Sequence, residues 1–415
     1  MIVALVSAVL FAAVQDTVVL TLDHAVARAI AVSPLRAAAI GAVRGPRGQR
    51  AEAWYPFPDN PTLEYGRVRR ESGLSTTYDR EWNLTQEVEI AGQWWWRGRA
   101  ASAFVNAAEA RVDNASRLAA LETRRTYAAL AVAERRAALS DSAAAFAERL
   151  SGFARRQFES GEINRLERNA ATLEAARAQS TAERARAGAA EAAADLARLL
   201  ALPHDSVPRT ADLPAVPDLR WASDSALVAI ARIRRPDLLA SEEWRRGTDR
   251  AAVAARLSFI PNLTLSAHQG REAGTDRLWG FGLGLRIPLF HRQQASRGTA
   301  ALEVAAARAE LVAAERAVQA EALSAGARFL GAHAAERRFA TEVLRAATEN
   351  VTLTERALAE GEVSLTEVLV LRSIAVSAQL EYLDVLEAAA DAWFELAAAL
   401  AAEPAELATL LGGRE

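Results

Sequence analysis

Residues 279–289 read WGFGLGLRIPL, and their alternation decides how the chain folds. Trp279, Phe281, Leu283, Leu285, Ile287 and Leu289 take every second position, separated by Gly280, Gly282, Gly284, Arg286 and Pro288. A period of two places the first set on one face of a β-strand and the second set on the other. Upstream, Leu263, Leu265 and Ala267 alternate with Thr264, Ser266 and His268, which predicts a hairpin over about 261–289 with a polar loop from Gly270 to Arg277. The pattern also occurs about 200 residues earlier. There Trp82, Leu84, Gln86, Val88 and Ile90 alternate with Asn83, Thr85, Glu87 and Glu89, and Leu63 and Tyr65 oppose Thr62 and Glu64. This predicts a second hairpin over about 61–90, with a loop from Gly66 to Asp79. The polar faces carry too much charge for a sandwich core and suit a water-filled lumen. About 9–11 residues suffice for a tilted strand to cross a membrane.

The recurrence is a duplication of the chain. AIAVSPL at 29–35 matches ARIRRPDL at 231–238, and Asn60 and Pro61 match Ile260 and Pro261. EVEIA at 87–91 matches RIPLF at 286–290, and FESGEI at 158–163 matches LAEGEV at 358–363. Each repeat reads as short helices, hairpin, long helix, glycine break and return helix. The first repeat covers 16–202, with a long helix at about 92–158 and a return helix at about 163–201. The second covers 221–402, with corresponding helices at about 293–358 and 363–402. Between them, 203–220 reads as a linker, with four prolines in the fifteen residues from 203 to 217. Residues 403–415 form a tail. A helix from 92 to 158 is about 100 Å long at 1.5 Å per residue, more than one globular core covers, so coiled-coil packing is expected. The fold class is mainly α with a small β part: long helical hairpins plus four strands.

Composition narrows the function. Of 415 residues, 51% are hydrophobic and about a quarter are alanine, the best helix former. With 49 basic and 52 acidic residues the net charge is −3, so the basic excess of a nucleic-acid binder is lacking and no nucleic-acid partner is expected. The absence of cysteine excludes disulfides, thiolate catalysis and zinc–thiolate sites. His24, His204, His268, His291 and His333 show no metal-ligand spacing, and no nucleophile or phosphate-loop motif appears. No catalytic residue, metal site or cofactor is therefore expected. Residues 1–15 open with MIVALVSAVLFAAV, too short to span a bilayer as a helix, and read as a secretory signal segment. Two hairpins give four strands, too few to close a channel. Either the sheet is soluble and half-buried, or several copies each lend four strands to one barrel, since lipid offers no partner to an open edge.

At this point the chain resembles the TolC family of outer-membrane efflux proteins from about Leu20 to Ala402. The marks are Leu22, Asp23, His24 and Ala25 with Ala29 and Pro34; Asn60 and Pro61; and Arg235, Pro236, Asp237 and Leu238. To these add Ile287, Pro288, Leu289 and Phe290, then Gly361, Glu362 and Val363 with Val368 and Leu369. The resemblance implies a homotrimer in outer-membrane lipid: twelve strands in one barrel, continued by an α-helical barrel across the periplasm. It also implies a periplasmic adaptor (membrane fusion) protein and an inner-membrane pump as partners. The Ile-Pro-Leu-Phe stretch is similar to members that work with resistance-nodulation-division pumps, including those for heavy metals. The chain departs from the family at Ser33, usually asparagine, and at Val363, where a pore-latching arginine stands in the best-known member.

Three sets of residues follow as candidates. Gly161, Glu162 and Ile163, with Gly361, Glu362 and Val363, are expected at the helix-turn tips that dock the adaptor. Glu167 and Glu367, six residues past each glycine, are expected at a pore constriction, where like charges would raise one another's pKa and attract cations. Trp54, Tyr55, Phe57, Trp94, Trp95 and Trp96 are expected as aromatics at the membrane interface. The expected function is the outer-membrane exit duct of a tripartite efflux system, with the duct of a type I protein secretion system as alternative. A periplasmic coiled-coil scaffold without a barrel is the third reading.

Overall fold

The computed structural model describes residues 16–73, 75–213, 215–272, 275–360 and 363–411. The signal segment read at 1–15 and the tip residues Gly361 and Glu362 lie outside the described residues. In chain order the first repeat gives β1 (Asp16–Leu20), α1 (Leu22–Val32), α2 (Pro34–Ala42), α3 (Arg44–Ala53), β2 (Thr62–Ser72), β3 (Ser75–Val88), α4 (Gln93–Glu159) and α5 (Arg165–Leu199). After β4 (Ser206–Thr210), the second gives α6 (Asp224–Arg234), α7 (Pro236–Leu257), β5 (Leu263–Glu272), β6 (Asp276–Leu285) and α8 (Gln294–Arg338). A π-helical stretch (Phe339–Leu344) leads into α9 (Arg345–Glu360), then α10 (Leu365–Ala399), a 3₁₀ turn (Pro404–Glu406) and α11 (Leu407–Leu410).

Proline starts a helix in each repeat, Pro34 for α2 and Pro236 for α7. A missing N–H costs nothing in the first turn, where no intrahelical partner exists. Beyond that point the repeats diverge. Gly41, Gly45 and Pro46 flank the break at Val43 between α2 and α3, whereas α7 runs 22 residues unbroken. The long helix also differs: α4 is continuous for 67 residues, but its counterpart is interrupted by the six-residue π-helical stretch.

The chain divides into two compact units, and each draws on both repeats. The first holds 1–37, 115–234 and 318–415, and the second holds 38–114 and 235–317. A repeat is thus not a folding body.

The second unit carries one antiparallel sheet in the order β2-β3-β5-β6, joining the two hairpins edge to edge. Its register runs without a bulge. The strands are longer than hydrophobic alternation indicates. β2 and β3 pair as far as Ser72 with Ser75, and β5 and β6 as far as Glu272 with Asp276. The residues 66–79 and 270–277, read as loops, are largely strand. Charged side chains end the apolar pattern there, but backbone N–H and C=O groups still pair.

The first unit is built on alanine. Ala171, Ala175, Ala182, Ala185, Ala189 and Ala193 are buried along α5, three to seven residues apart, so neighbouring helices approach closely with little side-chain entropy lost. Larger groups fill the ends. Tyr127 and Leu130 of α4 pack with Ala25 and Ala29 of α1 and with Ala193, Leu196 and Leu200. Beside this cluster β1 and β4 form a two-stranded parallel pair, Asp16 opposite Ser206 through Leu20 opposite Thr210. The Tyr127 hydroxyl donates to the Leu20 carbonyl at 2.9 Å and accepts from the Ala211 N–H at 3.2 Å, tying both strands to α4. This pair lies partly in the stretch read as a linker.

Candidate functional site

The four-stranded sheet has two unlike faces. On one, successive cross-strand rows hold Tyr65, Trp82, Gln269 and Trp279, then Leu63, Leu84, Ala267 and Phe281, then Gln86, Leu265 and Leu283, and finally Val88, Leu263 and Leu285. This face is open: Trp279 is 76%, Phe281 81% and Leu283 78% exposed. The other face carries Glu64, Asn83, Glu81, Glu87, His268, Ser266 and Thr264. There Gly280, Gly282 and Gly284 make room for their neighbours. A Cβ on Gly280 would lie 2.5 Å from the His268 ring, and one on Gly282 would lie 2.4 Å from the Ser266 Oγ. The β5 side chains therefore lie over β6, and His268 has glycine opposite it.

Where the sheet joins the helices, a polar cluster ties the connecting segments together. Gln93 donates to the carbonyls of Leu257 (3.4 Å) and Ile260 (3.3 Å), while its own Oε1 accepts from the Ala91 N–H at 3.0 Å. Asn262 donates to Glu87 at 2.9 Å. Arg97 meets Glu89 at 2.6 Å and the Tyr55 carbonyl at 3.1 Å. The predicted aromatics gather at this junction. Trp54 and Trp94 pack edge to face at 6.5 Å, as do Trp95 and Trp96 at 5.7 Å. Gly98 is buried under the Trp54 ring, where a Cβ would come within 2.5 Å. Tyr55, Phe57 and Trp95 remain exposed.

The helix turns belong to the first unit. Helix α4 ends with Gly161 in the left-handed region (φ +82°), the Glu162 N–H donating to the Gln157 carbonyl at 2.9 Å and the Gly161 N–H to that of Phe158 at 3.1 Å. This is the Schellman arrangement, in which glycine carries no steric cost. Glu162 stays exposed and accepts from Ser160 Oγ at 3.1 Å and Gln157 at 3.3 Å. Ile163 turns inward. It packs with Val363, Phe146 and Leu369 against buried Leu150, Ala154, Ala171 and Val368, so the structure brings the two turns side by side.

Glu167 and Glu367 have a local role at these turns. Each is the third residue of its helix and completes a capping box, Glu167 with Asn164 on α5 and Glu367 with Ser364 on α10. Glu167 accepts the Asn164 N–H at 3.0 Å, and Glu367 accepts the Ser364 N–H at 2.8 Å and hydroxyl at 3.0 Å. The capping box satisfies helix-end N–H groups that otherwise lack partners. These donors hold the exposed Glu367 carboxyl below the usual carboxylate range, the Ser364 N–H most of all. In a single chain this is the reverse of the rise expected from clustered carboxylates. The cap is therefore complete above the ordinary carboxylate pKa and is lost as pH falls through the depressed value.

Sequence reading missed Leu166, which is 78% exposed one turn from Glu162. It also missed the close packing of the two turns, whose sequence signal is the apolar residue after each Gly-Glu pair. Among the described residues no three His, Asp or Glu side chains gather to hold a metal, and no single helix is long and apolar enough to cross a membrane.

The described geometry has counterparts. Residues 227–402 match the family described as "Outer membrane efflux protein". Among curated protein sequences none matches. Of solved structures, CusC, a transmembrane channel, aligns with a TM-score of 0.76 at 17% identity over 92% of both chains. VceC, an outer membrane protein of Vibrio cholerae, aligns at 0.73 and 16% identity over 92% of this chain and 96% of its own. The open-state outer membrane channel MtrE of Neisseria gonorrhoeae aligns at 0.72 and 20% identity over 92% of this chain and 89% of its own. The family match is thus confined to residues 227–402, whereas the likeness in fold to these channels extends over nearly the full length of the chain.

Proposed function

We propose that three copies join the β2 edge of one sheet to the β6 edge of the next, closing a twelve-stranded barrel in the bacterial outer membrane. The long helices continue the duct into the periplasm. It is a passive exit for cargo delivered by an inner-membrane pump through a periplasmic adaptor, not an enzyme. The observation that carries this reading is the sheet itself. Among the described residues its two edges are unpaired and its aromatic and aliphatic face is open, both unfavourable in water and both satisfied by a closed barrel in lipid. The mature protein should fractionate with outer membrane and run as a heat-modifiable trimer in mild detergent. A soluble periplasmic monomer would end the reading. The Ile-Pro-Leu-Phe stretch at 287–290 supports a resistance-nodulation-division pump as the partner, which co-purification from native membranes tests.

The helix turns are assigned to the adaptor. In a trimer the duplication supplies six of them, with Glu162 or Glu362 in the sequence of each. Reversing both charges with Glu162→Arg and Glu362→Arg should lower efflux severalfold and weaken crosslinking to the adaptor while trimer abundance is unchanged. Undiminished crosslinking at these positions would leave the turns a purely structural role.

Glu167 and Glu367 are assigned a second role beyond capping, as the carboxylates lining the narrow periplasmic end. Such a ring favours cations and lets divalent ions block. In planar bilayers Glu167→Ala with Glu367→Ala should abolish cation preference and divalent block. Unchanged conductance with a lowered melting temperature would leave both as caps alone.

A further inference from the structure

Beyond Tyr65, Trp82, Gln269 and Trp279, toward the hairpin turns, the next row of the open sheet face is Arg67, Arg80, Arg271 and Arg277, in direct register across all four strands. All four are exposed. Among the described residues none of them makes an ion pair, and Arg67 stacks 4.3 Å over the Tyr78 ring. The carboxylates at this end stand on the opposite face or are already engaged. Asp79 and Glu272 bind Arg70, at 2.9 Å for Asp79, and Glu71 binds Arg69.

Like charges placed directly opposite in a sheet destabilise it. Four in a row therefore require an anion from outside the sheet. The face states which kind. Along the strands, at about 7 Å per row, an aliphatic band gives way to an aromatic row and then to the arginines. That is the sequence of zones from acyl chains through the interface to charged headgroups. A soluble anion would not need the two apolar rows beneath it.

We infer that Arg67, Arg80, Arg271 and Arg277 form a belt that binds the phosphates of lipid headgroups at the membrane surface on the hairpin-turn side. This inference rests on the barrel reading, in which three chains make a belt of twelve arginines. Arginine suits the role because its planar donors engage phosphate oxygens in pairs while its stem lies along apolar surface. The ligand class is a phosphorylated lipid, its acyl chains against Phe281 and Trp279 and its phosphates on the belt.

The test uses trimers in nanodiscs of phosphatidylcholine with and without bisphosphorylated lipid A. Wild-type trimers should melt higher with lipid A and retain it through detergent washing, as read by native mass spectrometry. Retention should fall about fivefold per arginine removed in Arg67→Gln, Arg80→Gln, Arg271→Gln and Arg277→Gln. It should survive Arg→Lys at the same positions and Arg70→Gln on the opposite face. Equal retention of lipid A by the fourfold glutamine variant would overturn the belt, as would equal protection of the wild type by inorganic phosphate alone. Either result, seen in trimers that insert normally into phosphatidylcholine discs, leaves the barrel intact. Failure of the wild type to insert at all would remove both.

Discussion

Leu283→Arg is expected to empty the outer membrane of assembled trimer. Leu283 lies in the aliphatic band of the open face, opposite Leu265, with Phe281 and Leu285 on the same side of β6. Arginine facing lipid near the bilayer midplane costs about 2–4 kcal/mol per site. A trimer repeats that cost in three chains, enough to favour unassembled protein over inserted barrel. The comparison is Glu64→Arg, on the polar face of β2 beside Leu63. That change exchanges one charge for another on the face that the proposed barrel turns to a watery lumen, and should leave trimer abundance near wild type. Quantifying heat-modifiable trimer in outer-membrane fractions checks both. If the two variants behave alike, the open face does not meet lipid.

Tyr127→Ala should have the largest effect in the helical unit. The residue is 1% exposed and fills the centre of a cluster otherwise made of alanine and leucine, so no neighbour is large enough to close the gap. Truncating a buried aromatic to alanine costs about 3–5 kcal/mol. Tyr127→Phe separates the hydroxyl from the ring. The Ala211 N–H still donates to the Leu20 carbonyl at 2.9 Å, so neither backbone group is orphaned and the loss should be about 1 kcal/mol. Denaturant melts of the purified protein, followed by helix signal, measure both. A larger penalty for phenylalanine than for alanine would contradict this account.

How much of this was legible before the structure depends on the physics at each place. Strict alternation in Trp279 to Leu289 exposed the amphipathic strand, because side-chain direction follows sequence parity alone. Gly161 with Glu162 marked a helix end, because only glycine takes φ +82° without strain. The β1–β4 pair was invisible: five residues with Pro208 in the middle carry no periodic signal, and their pairing bridges about 190 residues. Alternation also stopped short at Gly66 and Asp79, where charges interrupt the pattern but the backbone ladder continues. Glu167 and Glu367 were legible as acids after a turn. Their capping bonds were not drawn from the sequence, although Asn164 and Ser364 three residues earlier spell the signature.

The sheet order β2-β3-β5-β6 leaves each chain with one edge of each kind. In the proposed barrel, contacts between copies are then head to tail, never the same patch meeting itself. A chain spoiled on β6 alone can still offer a sound β2 to a healthy neighbour. Such a chain is a poison rather than a bystander: it is taken into assemblies that it cannot complete. Expressed at parity with the intact chain, it would leave roughly one trimer in eight free of it, as random head-to-tail mixing requires. Loss-of-function alleles at this edge should therefore be dominant, whereas alleles that unfold the chain before it meets a partner should be recessive.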